Sequence, residues 1–124
     1  MKLFTLAEAN ELLPSVSANL KTIQTLYAKI DSYREAARLA AVASEFGGGM
    51  IGGSDYVKGL YDVGKITTEL HELGIRLKDY SRGLIDFPTM RDGREVLLCW
   101  QLGEDEKIEW WHELEAGFAG RQPL

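Results

Sequence analysis

The sequence predicts an α+β fold: a short N-terminal helix, a long antiparallel helical hairpin, and a small C-terminal antiparallel sheet. Two long segments carry apolar residues at alternating steps of four and three, the spacing of helices that pack together. A glycine-rich stretch, 47–53, separates them. After Gly74 the pattern changes to the β-branched and aromatic runs of strands. We expect one domain over 1–124, with the hairpin at 14–74 and the sheet and tail at 75–124.

The short N-terminal helix is predicted from a capping box. The Thr5 hydroxyl can accept a hydrogen bond from the Glu8 amide, while the Glu8 carboxylate accepts one from the Thr5 amide. Pro14 has no amide proton, so it suits the first turn of a new helix better than the interior of an old one. We therefore expect the first helix to break near Leu13.

The two long helices are predicted from their apolar seams. The first helix, 15–45, would be about 46 Å long at 1.5 Å per residue. Ser54 or Asp55 can cap the second, and Gly74 can end it. The glycine loop lacks the lysine and the preceding strand of a phosphate-binding loop, which favours a plain hairpin connection. The seam residues are Val16, Leu20, Ile23, Tyr27, Ile30 and Tyr33 or Ala37 in the first helix, and Tyr56, Leu60, Val63, Thr67 and Leu70 in the second.

Strands are predicted at 75–77, 94–102 and 107–113. The pair Asp92-Gly93 is typical of a tight turn, and residues 103–106 form a second connection, so the last two strands should pair antiparallel. On a strand, Ile108, Trp110 and His112 share one face and Trp111 takes the other. Adjacent tryptophans indicate that both faces are covered, one by helix and the other by the C-terminal tail or a second subunit.

Composition excludes several classes of protein. The net charge of −5 and the pI near 5.0 argue against broad nucleic-acid binding, which needs a basic face. No apolar run reaches the roughly 20 residues of a membrane span, and the N-terminus does not have the pattern of a signal peptide. A single cysteine fits a reducing compartment. We therefore expect a cytoplasmic protein without membrane contact.

Two histidines are the candidate metal ligands. His71 lies beside Glu69 and Glu72, and His112 lies near Glu115. If the fold brings the histidines together, with Asp86, Glu69 or Glu115 completing the set, the site would suit zinc, iron or manganese. The simpler alternative is an ordinary surface or interface histidine. The pair His112-Glu113 does not extend to a zinc-protease motif, because position 116 is alanine.

A second candidate site consists of arginines and aspartates in the last third of the chain. Asp86, Arg94 and Arg121 are the candidates to bind a small anionic ligand, since an arginine fork binds carboxylate or phosphate at two points. The alternative, which we prefer, is that these groups pair within the chain and pin its tail. Cys99 lies in the middle of a predicted strand, which favours a packing role over a nucleophilic one.

Short motifs in the last third also carry a resemblance. They are Lys78-Asp79, 83–88 (GLIDFP), 93–96 (GREV), Cys99-Trp100, 111–114 (WHEL) and 117–121 (GFAGR), with 4–6 and 12–14 near the N-terminus. In these motifs the chain resembles the bacterial family called domain of unknown function 2203. The resemblance implies a cytoplasmic prokaryotic protein and no assigned activity. It draws attention to the polar motif members Asp79, Asp86, Arg94, His112 and Arg121.

These observations rank two functions. A hairpin longer than the sheet beneath it leaves part of its seam uncovered, which a second copy could bury in a four-helix bundle. The first expectation is therefore a non-enzymatic, homodimeric interaction or scaffold module. The alternative is a metal- or anion-binding protein, whether an enzyme or not, that uses His71 and His112 with nearby carboxylates.

Overall fold

A computed structural model describes residues 2–43 and 53–124. Within these residues, two helices precede one five-stranded sheet, whose strands are antiparallel and lie in chain order. One turn of 3-10 helix, Phe118–Gly120, precedes the last strand. The predicted α+β class is confirmed. The elements are α1 (Leu6–Ala43), α2 (Gly53–Glu72), β1 (Arg76–Asp79), β2 (Leu84–Arg91), β3 (Arg94–Gln101), β4 (Trp110–His112) and β5 (Gln122–Pro123).

The N-terminal helix is continuous with the first long helix. The capping box is confirmed, because the Glu8 amide donates to the Thr5 hydroxyl at 3.1 Å and the Thr5 amide donates to Glu8 at 3.0 Å. The predicted break near Leu13 is wrong, since Pro14 lies inside α1. An interior proline costs about 3 kcal/mol. The buried side chains on both sides of Pro14, including Ala9, Leu13 and Val16, offset that cost, and the proline itself faces solvent.

The helices form the predicted hairpin, with one change in the seam. Tyr56 packs on Tyr33, and the position of Gly59 faces Ile30, so the two helices run antiparallel. Leu60, predicted in the seam, is instead 40% exposed, because buried Gly59 occupies that place against α1. The predicted glycine loop lies outside the described residues except for Gly53, where α2 begins; Ser54 and Asp55 therefore lie within its first turn.

Gly74 ends α2 as predicted. Its φ is +95°, a conformation that glycine adopts at little cost. The Gly74 amide donates to the His71 carbonyl at 2.9 Å, and the Ile75 amide donates to the Leu70 carbonyl at 3.1 Å. This pair of bonds is the Schellman pattern that satisfies the last carbonyls of a helix. The chain then reverses into β1.

Strand β2 was not predicted, and it contains Pro88, a residue that strand interiors rarely accept. The proline is tolerated because β1 pairs with β2 only over 84–86. Beyond that point the neighbour of β2 is the N-terminal segment, whose Phe4 amide donates to the Pro88 carbonyl at 2.7 Å. The predicted strands over 94–102 and 107–113 correspond to β3 and to the shorter β4, and they pair antiparallel as expected.

The main core lies between the helices and one face of the sheet. Phe87 is fully buried there and meets Phe4 edge to face, with ring centroids 5.3 Å apart. Trp111 belongs to this core, as predicted for one of the two adjacent tryptophans. Ile108 belongs to it as well, contrary to the predicted alternation, because β4 begins only at Trp110. Neither described helix carries an apolar stretch that could cross a lipid bilayer.

Candidate functional site

The tight turn between β2 and β3 sets the first contact of the candidate site. Asp92 and Gly93 both have positive φ, 52° and 80°, as a two-residue hairpin turn of this type requires. Arg91 and Arg94 therefore pair across the turn, and the register continues without a shift. Five residue pairs further on, Asp86 lies directly opposite Cys99. Side chains on such a pair share one face of the sheet.

Strand β4 adds His112 to the same face. Cys99 pairs with Trp110, and Leu97 pairs with His112, so His112 lies diagonally across from Cys99. The neighbours of Asp86 in β2 belong to the helix-facing core, as does Trp111 next to His112. Alternation along each strand therefore directs Asp86, Cys99 and His112 to the opposite face. All three are buried, with exposed fractions of 2%, 1% and 2%.

Both ring nitrogens of His112 have an oxygen partner. Nδ1 lies 2.7 Å from the Glu113 carbonyl oxygen, and Nε2 lies 3.0 Å from Asp86 Oδ1. A carbonyl can only accept, so Nδ1 carries a proton and donates it. One further proton lies between Nε2 and Oδ1, carried by either atom. The pair is therefore neutral overall, which lowers the cost of burying it.

Cys99 completes the cluster as a protonated thiol. One potential ligand atom from each of Asp86, Cys99 and His112 lies within 4.8 Å of the other two. Burial, and then the negative charge of Asp86, raise the pKa of Cys99 to about 12. A buried thiol with so high a pKa is a poor nucleophile at neutral pH. The prediction that Cys99 packs in the interior is confirmed, but its neighbours are polar.

The C-terminal segment covers this face, and Arg121 fixes it there. The guanidinium donates two hydrogen bonds to the Glu104 carboxylate, at 2.8 and 2.7 Å, and one to the Cys99 carbonyl at 3.3 Å. Its Cζ lies 5.3 Å from the centroid of the Trp110 ring and 4.6 Å from that of Phe118. Arg121 therefore pins the tail, as the preferred alternative predicted, and the tail covers the second face of the sheet.

The other predicted anion-binding arginine is also paired within the chain. Arg94 binds the Glu113 carboxylate through two hydrogen bonds. This ion pair is exposed, unlike that of Arg121 and Glu104. Asp86, the third predicted member of this site, contacts His112. Asp79, a residue highlighted by the resemblance, accepts from the Arg82 amide at 2.9 Å in the β1–β2 turn.

The predicted metal ligands are divided between the two sides of the sheet. His71 and Glu69 are exposed on α2, and Glu115 is exposed on the C-terminal segment. Within the described part of the chain, the group of three or more potential ligand side chains is Asp86, Cys99 and His112. His71, Glu69 and Glu115 are not members of it. His112 thus lies with Asp86, one of the carboxylates that the sequence suggested as a third ligand, and with Cys99, which was not suggested as a ligand.

The outer side of α2 is a second feature of note. Val57, Leu60 and Tyr61 are 63%, 40% and 69% exposed on neighbouring turns. Gly64 lies one turn beyond Leu60 and Tyr61, and a Cβ at Gly64 would have no atom within 4 Å. Helical spacing places these four residues on one side of α2, opposite buried Gly59 and Val63. We call them the outer face of α2.

The cluster could have been found from the sequence in part. A two-residue turn at Asp92-Gly93 makes the numbers of paired residues sum to 185, which places Asp86 opposite Cys99. This signal was missed because β2 was not recognised. The contribution of His112 was harder to see, because the connection from β3 to β4 is long and does not set the register.

The comparisons with known proteins identify a family. Residues 2–124 match the family described as "Uncharacterized conserved protein (DUF2203)". No curated protein and no solved structure matches the chain. The chain therefore belongs to the DUF2203 family, as the resemblance in its motifs predicted.

Proposed function

We propose that this member of the DUF2203 family is a non-enzymatic interaction module that forms a homodimer through the outer face of α2. The exposed Val57, Leu60 and Tyr61 carry this proposal. Large apolar side chains that adjoin one another on a surface mark sites of protein association. Leu60 is exposed because Gly59 fills the seam against α1, so the hairpin interface does not use it.

The outer face has the shape of a self-complementary surface. Tyr61 projects from it, and Gly64, three residues along the same side, leaves open space. A two-fold axis between antiparallel copies of α2 would put Tyr61 of each copy over Gly64 of the other. A two-fold interface requires this reciprocity, in which residue i meets j and j meets i. Two hairpins joined in this way form a four-helix bundle.

A substitution at Gly64 tests the dimer. Gly64→Gln should fill the open space and block Tyr61 of the second copy, so we expect light scattering to give the 13.9 kDa mass of one chain where the unaltered protein gives twice that mass. The same change should make the isolated fold more stable, by about 0.5–1 kcal/mol, since glutamine is a better helix former than glycine.

Thr25→Gln, on the exposed side of α1, is the matched control. It also improves helix propensity and should leave the dimer intact. A monomeric unaltered protein at concentrations up to the millimolar range, or a Gly64→Gln protein that dimerises as well as the control, would overturn the proposal.

The second candidate function is metal binding, which the cluster of Asp86, Cys99 and His112 supports in place of the predicted pairing of His71 with His112. An anionic ligand has less support, because Arg94 and Arg121 already pair with carboxylates of the chain. We also propose a cytoplasmic location, which the free, buried thiol of Cys99 supports.

A further inference from the structure

We infer that Asp86, Cys99 and His112 form a binding site for one divalent transition-metal ion, with zinc the best match. The inference rests on three side chains from three adjacent strands. Their potential ligand atoms lie within 4.8 Å of one another, and the strands fix where each side chain begins. It is independent of the proposed dimer, whose contacts lie on α2.

The distances suit an ion of this size. Zinc binds nitrogen and oxygen ligands at about 2.0–2.2 Å and sulfur at about 2.3 Å, so tetrahedral ligand atoms lie about 3.5 Å apart. The His112 Nε2 and Asp86 Oδ1 atoms are 3.0 Å apart. They need to separate by about half an ångström to admit the ion, and Cys99 Sγ supplies the third ligand.

The orientation of His112 matches that of a metal ligand. A metal-binding histidine usually donates its other ring N–H to a carbonyl or carboxylate, which fixes the ring and leaves one nitrogen for the metal. His112 Nδ1 donates to the Glu113 carbonyl in this way. Nε2 therefore faces Asp86 and Cys99, where the ion would bind.

The total charge of the three ligand side chains matches a divalent ion. With Cys99 as thiolate, Asp86 as carboxylate and His112 neutral, the ligands carry two negative charges, and a divalent ion makes the buried site neutral. The positive charge of nearby Arg121 is already balanced by Glu104. A thiolate and an imidazole favour zinc over magnesium or calcium, which prefer oxygen ligands.

Binding has a defined proton balance. The ion replaces the thiol proton of Cys99 and the proton between Asp86 and His112, and both protons leave to solvent. No bond to carbon changes and no electron is transferred. We therefore expect two protons to be released for each zinc ion bound. Calorimetry in buffers of different ionisation enthalpy measures this number.

The test uses the full chain without a histidine tag, stripped with a chelator and titrated with Zn²⁺ and with Co²⁺. We expect one ion per chain, a rise in melting temperature, and the near-ultraviolet absorption of a thiolate bound to cobalt. Cys99→Ser should remove that absorption and weaken binding by at least about 100-fold. Substituting a residue that only orients a metal ligand lowers metal affinity about 10- to 100-fold, so loss of a ligand itself should lower the affinity by no less than the upper figure.

His71→Ala is the matched control, because it removes the other histidine of the chain from an exposed position. It should bind zinc as the unaltered protein does. Asp86→Asn tests the carboxylate, with circular dichroism to establish that it folds; if it does not fold, Cys99→Ser alone decides. The inference is overturned if the folded protein binds no stoichiometric ion, or if Cys99→Ser binds normally, or if His71→Ala abolishes binding.

Discussion

The face of the sheet that meets the helices and the face that carries Asp86, Cys99 and His112 are both buried, yet they are stabilised by different interactions. The helix-facing side is built from hydrocarbon and aromatic groups, with Phe87 at its centre. The opposite side holds a neutral Asp–His pair, a thiol and, in the covering segment, the Arg121–Glu104 ion pair.

Because of this difference, substitutions on the two faces should lower stability for different reasons. On the helix-facing side, the cost of a substitution follows the volume that is lost, because nothing there depends on one particular partner. On the opposite side, each polar group depends on another, so removal of one partner leaves the other buried without a hydrogen bond. Substitutions that compare the two faces can therefore confirm or break this distinction.

The largest expected effect is on the helix-facing side. Phe87→Ala should lower the free energy of unfolding by about 3–5 kcal/mol, because the ring is fully buried and contacts Phe4. Urea unfolding followed by circular dichroism measures the loss. Leu114→Ala, at a side chain 48% exposed, is the control and should change stability by less than about 0.5 kcal/mol. Equal losses in the two variants would contradict this account of the core.

A smaller effect, with a different signature, is expected on the opposite side. In the presence of a chelator, Asp86→Ala should lower the free energy of unfolding by about 3 kcal/mol. This is the lower end of the range for breaking a buried pair, since His112 keeps its bond to the Glu113 carbonyl. The double variant Asp86→Ala/His112→Leu should lose at least about 1 kcal/mol less stability than the sum of the losses of the two single variants, because both members of the pair are removed together.

The control for this cycle combines Asp86→Ala with Val16→Ala. Val16 is fully buried on α1, on the other side of the sheet, so these two effects should add to within about 0.5 kcal/mol. If the stability losses of Asp86→Ala and His112→Leu add just as closely, the two side chains do not act as a pair.

The same difference explains how much of the fold could be predicted from the sequence. Helix periodicity, the Thr5–Glu8 capping box and Gly74 are local signals. They correctly predicted the helical hairpin, the start of α1 and the end of α2. The break at Pro14 was wrong because packing on both sides of the proline outweighs a local penalty. Strand β2 was missed because both of its faces are buried, so alternation of polar and apolar residues is absent from most of its length.

The candidate site was less predictable than the fold, because it depends on contacts between strands. Asp86 and His112 were both identified from the sequence, and Asp86 was one of the carboxylates expected to complete a site with His71 and His112. The expected site included His71, which is not a member of the observed cluster. Cys99 was assigned to packing alone. The register that joins them follows from one turn and one long connection, and the sequence reveals only the turn.

The smallest expected effect compares the two ion pairs of the C-terminal region. Partial burial raises the pKa of Glu104, but hydrogen bonds from Arg121 and the Gln101 amide lower it by more, to below its ordinary value of 4.5. The unfolded chain therefore takes up this proton more readily than the folded chain. The pair stabilises the fold above about pH 4.5, and the contribution is lost as the pH falls through the lower, folded value.

Glu104→Gln should thus cost about 1–2 kcal/mol near neutral pH, and the difference from the unaltered protein should shrink in acid. Glu113 also has a lowered pKa, caused first by its hydrogen bond with Arg94, but that pair is exposed. Salt at 0.5 M should abolish any effect of Glu113→Gln and leave most of the effect of Glu104→Gln, because screening acts mainly on exposed charges. Equal salt sensitivity in the two variants would mean that the covering segment does not shield Glu104 from water, and that this face of the sheet is less enclosed than its burial indicates.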